Sequence, residues 1–232
     1  MIRTVFMKYH VELDIDFKRN DSKGLYIALE GVDGSGKTTQ VEELAKYFKK
    51  QGRSVVVTRE PRKEGLIGDI VQKVLTGKAK MSPIALQYLF STDRVLHHDE
   101  LVIPALKKGQ VVISDRCFWS AVVYGILDRT KGKYDYKSAD FLLIAHSILS
   151  MYHQFLIPDY TFCLDISLKT SLSRIDHKSG KKEIYEKEEK LKKLIEGYNW
   201  LTKKFAKEII VINGEDDVKR VTGDIIKKIK NT

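Results

Sequence analysis

Apolar positions along the chain follow two rhythms. Short unbroken runs, bounded by glycine or charge, occur in LYIAL (25–29), SVVVTRE (54–60), QVVISDR (110–116), YTFCLDIS (160–167) and EIIVIN (208–213). Runs of this kind, rich in β-branched residues, predict strands buried on both faces. Between them the spacing changes to three and four. Val41, Leu44, Ala45 and Phe48 form one helical face, and Leu191, Leu194, Ile195, Tyr198, Leu201 and Phe205 form another. Further helices are predicted over LIGDIVQKVL (66–75), from Ser82 towards Lys108 with Pro83 in the first turn, over ADFLLIAHSILSMY (139–152), and from Val218 to Lys230. Five strands joined by crossover helices predict an α/β fold in three layers, a five-stranded parallel sheet flanked by helices. Ligands of such sheets sit at the carboxyl ends of the strands. Residues 1–23 read as an N-terminal extension, with VELDIDF alternating like a short strand and KRNDSKG as a polar linker, ahead of one domain over 24–232.

Length and composition narrow the class. At 232 residues the chain suffices for one α/β domain with a full core. No apolar run nears the roughly 20 residues that span a bilayer, and the N-terminus lacks the apolar block of a secretory signal. Cys117 and Cys163 lie far apart and outside any C-x-x-C pair, so neither a disulfide framework nor a zinc site is indicated. A cytoplasmic protein with reduced thiols is expected. The net charge of +10 suits anionic partners, but glutamates interleave the lysines of HKSGKKEIYEKEEKLKK as on a solvated helix face. No nucleic-acid-binding motif accompanies it, and neither a nucleic-acid nor a membrane partner is expected.

The chemistry begins where the first strand ends. In YIALEGVDGSGKTTQ (26–40), Gly31, Gly36, Lys37 and Thr38 fit G-x-x-x-x-G-K-[ST]. Glycines let the backbone amides turn inward into an anion nest, and the following helix adds its N-terminal amides and dipole. The loop Gly31, Asp33, Gly34, Ser35, Gly36, Lys37, Thr38 and Thr39 is thus the candidate ATP site of a P-loop NTPase fold, with Lys37 on the outer phosphates and Thr38 on Mg2+. Arg59 follows the second strand and Asp115 and Arg116 the third. An arginine fork matches a phosphate, so both arginines are candidates for a second phosphorylated group, and Asp115 for the metal through water. Cys117 has no partnered base and reads as a buried thiol. The run HHDE (97–100) reads as surface, because neighbours on a helix point different ways. Asp165 reads equally as a metal or lid contact and as a structural hydrogen-bonding group.

With EGVDGSGKTTQ followed by TREP, FSTDR and DRCFWSAVVYG in this order, the chain from Leu25 to about Ile229 resembles thymidylate kinase. The resemblance implies transfer of the γ-phosphoryl of ATP to dTMP, with Mg2+. It implies that Phe90 stacks on thymine and Arg94, one turn on, reaches the base or its phosphate side. Asp33 would hold the deoxyribose or metal, Arg59 and Arg116 the dTMP phosphate, and Glu60 and Pro61 would line that pocket. Ser120 and Tyr124 would lie near base and sugar. The family is commonly homodimeric, and the apolar 139–152 helix is a candidate for that contact. Three positions depart from the family pattern. The glycines after REP are replaced by RKEGLIG, and the usual AYQ reads VYG, with Gly125 for glutamine. The arginine that bridges donor and acceptor phosphates is absent both at Gly34 and at Ile184 in the lid, about residues 174–186. Arg174, Lys178, Lys181 and Lys182 are the cations left for that task, with Arg174, Lys181 and Lys182 grouped with Lys37, Asp115 and Arg116 as catalytic candidates.

Two other readings stand beside a dTMP kinase. A kinase for another deoxynucleotide, or for a deoxynucleoside, would need a carboxylate base in the second case, for which Glu60 is the candidate. A non-catalytic nucleotide-binding module would leave the acceptor-side arginines without a task. VINGEDD (211–217) lacks the lysine of a GTP-reading N-K-x-D motif.

Overall fold

The computed structural model describes residues 16–130, 139–152, 155–176 and 188–230. Five strands, β1 (Leu25–Glu30), β2 (Val55–Arg59), β3 (Val111–Asp115), β4 (Tyr160–Asp165) and β5 (Ile209–Asn213), form one sheet in the order β2-β3-β1-β4-β5. Every pairing is parallel, with Leu25 opposite Val111, Ile27 opposite Tyr160 and Thr161 opposite Ile209. The buried character of β1 and β3 explains the unbroken apolar runs, since helices cover both faces.

Helix α1 (Lys37–Lys50) packs Val41, Leu44, Ala45 and Phe48 on one face of the sheet together with Val221 and Ile225 of α9 (Val218–Lys230). The other face carries α3 (Pro83–His97), α5 (Phe118–Arg129), α6 (Ala139–Leu149) and α8 (Glu188–Lys204) around Trp119, Ile126, Ile148 and Leu194. Helix α2 (Leu66–Leu75) packs beside α3, and α7 (Leu168–Asp176) follows β4. Ser82 caps α3 by accepting from the Ala85 amide at 3.2 Å, with Pro83 at the first turn, as its sequence predicts.

The helix expected to run from Ser82 towards Lys108 is interrupted. A π-helical turn (His98–Val102) separates α3 from α4 (Ile103–Lys107). This stretch is packed on two sides, so both His97 and His98 are buried while Asp99 and Glu100 are exposed. The expectation of four surface residues therefore fails at the histidines.

Of the strand expected over 11–17, only the last two residues are among those described. Phe17 stacks on Phe118 and Trp119, with ring centroids 6.0 and 5.6 Å away. Lys18 bridges in parallel to Leu156, and Asn20 donates to Asp159 and the Gly24 carbonyl. Residues 17–20 are thus seated on the body of the fold. Among the described residues, no helix is long and apolar enough to cross a membrane.

Candidate active site

The carboxyl edge of the sheet opens on a cavity of about 560 Å³, in the range of small-molecule sites. It brings together Asp33, Gly34, Gly36, Lys37, Thr38 and Thr39 from the first loop, and Arg59, Glu60 and Pro61 from the end of β2. Phe90 and Arg94 enter from α3, Asp115, Arg116, Ser120 and Tyr124 from the β3–α5 segment, and Arg174 from α7. Gly31 and Ser35 belong to the same loop but do not line the cavity. Lys178, Lys181, Lys182 and Ile184 lie outside the described residues. Gln72, Leu75 and Ala121 also line the cavity and were not anticipated.

The loop before α1 turns on glycines. Gly34 and Gly36 take φ of 80° and 96°, where a side chain is strained. A Cβ on Gly34 would also meet the Ser171 carbonyl at 2.7 Å, so α7 closes directly on this loop. Lys37 Nζ donates to the carbonyls of Gly31 and Val32 at 3.1 and 2.9 Å, which fixes the cation under the loop. Burial, and then the neighbouring charge of Arg116, lower its pKa to about 8.

Thr38 Oγ1 donates to Asp115 Oδ2 at 2.7 Å, joining the helix start to the end of β3. Burial alone would raise the Asp115 carboxyl, but Lys37, Arg116 and the Thr38 bond hold it below the ordinary value. A hydroxyl and an ionised carboxylate side by side are hard oxygen donors suited to Mg2+, which takes few protein ligands and leaves the remainder to phosphates and water.

Arg116 is the most constrained side chain of the site. It has φ 76°, the only non-glycine residue in the left-handed region among the described residues. Its Nη1 donates to Gly31 O, Ser120 Oγ and Tyr198 OH at 3.0–3.1 Å, and its Nη2 donates to Asp33 Oδ1 at 2.6 Å. The guanidinium carbon lies 5.2 Å from the Tyr124 ring centre. Glu30 closes the network beneath it. Its Oε1 accepts from the amides of Cys117 and Ser120, capping α5, and its Oε2 accepts from Ser120 Oγ and Tyr198 OH. Sequence reading missed Glu30 and placed Tyr198 only on an apolar face. The one signal for Glu30 was a carboxylate ending a strand that is otherwise wholly apolar.

The acceptor-side wall is a second buried network. Glu60 pairs with Arg94 Nε, lies 3.1 Å from His97 Nδ1, and His97 Nε2 contacts Thr58 Oγ1 at 2.6 Å. Burial would raise the Glu60 carboxyl, yet Arg94 and the two histidines hold it well below the ordinary range. Arg59 at the end of β2 has a buried Nε with no hydrogen-bond partner among the described residues. Cys117 is buried and its thiol is pushed up by burial and by Glu30, as expected of a structural cysteine. Asp165 is exposed and does not line the cavity.

A family model described as thymidylate kinase matches residues 29–225. The chain belongs to the thymidylate kinase family. Among its relatives, the probable thymidylate kinase of Thermococcus gammatolerans is 34% identical over 88% of this chain and 94% of its own length. The probable thymidylate kinase of Thermococcus kodakarensis is 35% identical over 89% and 97%. The thymidylate kinase of Thermoanaerobacter sp. (strain X514) is 32% identical over 90% and 98%. The solved thymidylate kinase of Candida albicans, 23% identical, matches with a TM-score of 0.75 over 91% of this chain and 93% of that one, which shows the shared fold. Membership in the thymidylate kinase family makes the protein a nucleoside monophosphate kinase, as the four sequence motifs imply.

Proposed function

We infer that the protein transfers the γ-phosphoryl of ATP to dTMP, giving dTDP and ADP. The observation that carries this reading is that Arg59 and Arg116 line the same cavity as the glycine loop, which gives a second phosphorylated ligand its own cations within a single enclosure. ATP lies with its phosphates on the amides of residues 34–39 and on Lys37. Thr38 and, through water, Asp115 would hold Mg2+, which would supply neutralisation of phosphoryl charge. Arg59 and Arg116 orient the dTMP phosphate. Arg116 is itself pinned by Asp33, Ser120 and Tyr198, so little reorganisation accompanies binding. A phosphate oxygen attacks directly, and alignment with charge neutralisation supplies the catalysis.

Arg174 fits the role of the bridging arginine. Gly34 stands where one branch of the family carries that residue, and Arg174 Nη1 donates to the Gly34 carbonyl at 3.3 Å and to Gly214 O at 3.1 Å. The guanidinium thus reaches this place from α7, where a side chain on Gly34 would collide with Ser171. Lys181 and Lys182 would add charge from the lid over residues 174–186. Phe90 stacks on the base, while Ser120 and Tyr124 face the nucleoside. A deoxynucleoside acceptor is disfavoured because Glu60 is an ion-paired carboxylate of lowered pKa, a poor base.

A homodimer is the assembly that best accounts for the surface. Leu66 and Ile70 on α2, and Ile84, Tyr88 and Val95 on α3, form exposed apolar stripes on two adjacent helices. The expected 139–152 helix contributes Leu143 but buries Ala145, Ile148 and Leu149 inside the subunit. A cytoplasmic location suits two free, buried thiols.

The test is ADP release with ATP and Mg2+ and each of dTMP, dUMP, dCMP, dGMP, UMP and thymidine. Turnover on dTMP well above the rest is expected. Acceptor-independent nucleotide binding without turnover would sink the assignment.

A further inference from the structure

Three oxygens converge on one nitrogen of the Arg116 side chain. Nη1 donates to the Gly31 carbonyl, Ser120 Oγ and Tyr198 OH at 3.1, 3.1 and 3.0 Å. The two hydroxyls also lie against Glu30, whose Oε2 is 2.6 Å from Ser120 Oγ and 2.8 Å from Tyr198 OH. Each hydroxyl has a single proton, a guanidinium only donates and a carboxylate only accepts. One arrangement meets all of these demands. Both hydroxyl protons point at Glu30, and both oxygens turn their lone pairs to Nη1. A bond between the hydroxyls themselves, 3.0 Å apart, would leave one of them facing the carboxylate with no proton.

The other oxygen of Glu30 holds the turn that carries the arginine. Oε1 accepts from the amides of Cys117 and Ser120 at 2.9 and 3.1 Å. Arg116 donates its own amide to Leu29 O at 2.8 Å, and its carbonyl accepts from Ser114 Oγ at 2.6 Å. A left-handed φ on a residue with a side chain persists where the surroundings over-determine it. Two amides and two hydroxyls fill the acceptor positions of the carboxylate, which lets a charged group sit fully buried at the end of an apolar strand. The amides alone could be met by a neutral cap. Only a group that accepts and never donates turns both hydroxyls the same way.

We propose that Glu30 is the positioning residue for the acceptor phosphate, acting from outside the cavity wall by fixing the Arg116 fork through Ser120 and Tyr198. The inference rests on Arg116 holding the phosphate of dTMP. With Nη1 committed to the protein, the rest of the fork is presented at an angle set before the nucleotide arrives. Arg116 and Ser120 line the cavity, whereas Glu30 and Tyr198 do not. Glu30→Gln keeps the shape of the side chain and reverses its sense. The new NH2 group opposes either the two backbone amides or the two hydroxyls. In the second orientation it donates to both oxygens, their protons turn towards Nη1, and donors face donors.

The experiment measures Kd for dTMP and for thymidine by calorimetry, and KM for dTMP and for ATP. It compares the wild type, Glu30→Gln, Tyr198→Phe and the double variant, after thermal melts establish folding. The ratio of the two Kd values isolates the phosphate, because the nucleoside is common to both ligands. The wild type is expected to bind dTMP about 100-fold more tightly than thymidine. Glu30→Gln is expected to cut that ratio about tenfold, with thymidine binding unchanged. Its KM for dTMP should rise by the same factor while its KM for ATP stays. Tyr198→Phe removes one hydroxyl and is expected to cut the ratio about threefold, with no further loss in the Glu30→Gln background. If Glu30→Gln does not fold, Tyr198→Phe carries the ratio test alone. A folded variant that keeps the wild-type ratio, or loses dTMP, thymidine and ATP alike, overturns the proposal with the dTMP reading intact. A wild type that binds thymidine as tightly as dTMP overturns the placement of the phosphate on Arg116, and the proposal with it.

Discussion

At the scale of single residues, the acceptor wall and the phosphate loop obey opposite electrostatic rules. Glu60 is buried and held ionised by Arg94 and the histidines. Its folded pKa lies below the ordinary carboxylate value, so its contribution to stability is present above that value and is lost as pH falls through it towards the lowered one. Glu60→Gln leaves Arg94 as an uncompensated buried charge, and a loss of roughly 3–5 kcal/mol is expected by urea unfolding at pH 7, with a shallower decline on acidification. Lys37 is the reverse case. Its folded pKa of about 8 lies below the ordinary 10.5, so between these values the unfolded chain binds more protons and stability rises with pH. Function moves the other way, because the free protein loses the Lys37 charge as pH rises through about 8. The kcat/KM for ATP should therefore fall above that pH, and in Lys37→Arg, which cannot deprotonate, that limb should be absent.

Among elements, the β1–α1 unit was legible and the segments around it were less so. The glycine loop is a local device. Its strand, turn and helix lie within one short stretch, so residue type and spacing sufficed to place Gly34, Lys37 and Thr38. Arg59, Asp115 and Arg116 were legible because strand ends of a parallel sheet share an edge. Glu30, His97 and Tyr198 were not, because their roles arise where separate elements converge, and nothing in a single stretch distinguishes a buried polar residue from an exposed one. The π-helical turn after His97 belongs to the same class. KRNDSKG reads as a polar linker, yet Asn20 accepts from the Ser22 amide and donates to Asp159, which in turn accepts from the amide of Tyr26. Phe17 covers Phe118 and Trp119 directly after the Arg116 turn. Phe17→Ala is expected to lower stability by about 1–3 kcal/mol, read from chemical denaturation. It should also raise KM for dTMP, because the start of α5 carries Ser120 and Tyr124.

For the whole molecule, the exposed stripes on α2 and α3 make a stated demand. Ile84→Glu combined with Tyr88→Lys puts charge into the centre of the apolar area while both positions stay solvent-exposed in the subunit. The wild type is expected to sediment as a dimer and this variant as a monomer with an unchanged melting profile in dilute solution. A monomeric wild type would remove the assembly while leaving the cavity untouched. The strand order carries a consequence in time rather than in space. β1 has β3 and β4 as neighbours, so the strand that feeds the phosphate loop cannot pair until distant parts of the chain have arrived. Contacts of such long sequence separation slow folding, since loops must close before pairing rewards them. On a ribosome, the segment with the clearest signature is therefore made early and completed late, and until Asp115 emerges Thr38 has no partner to hold.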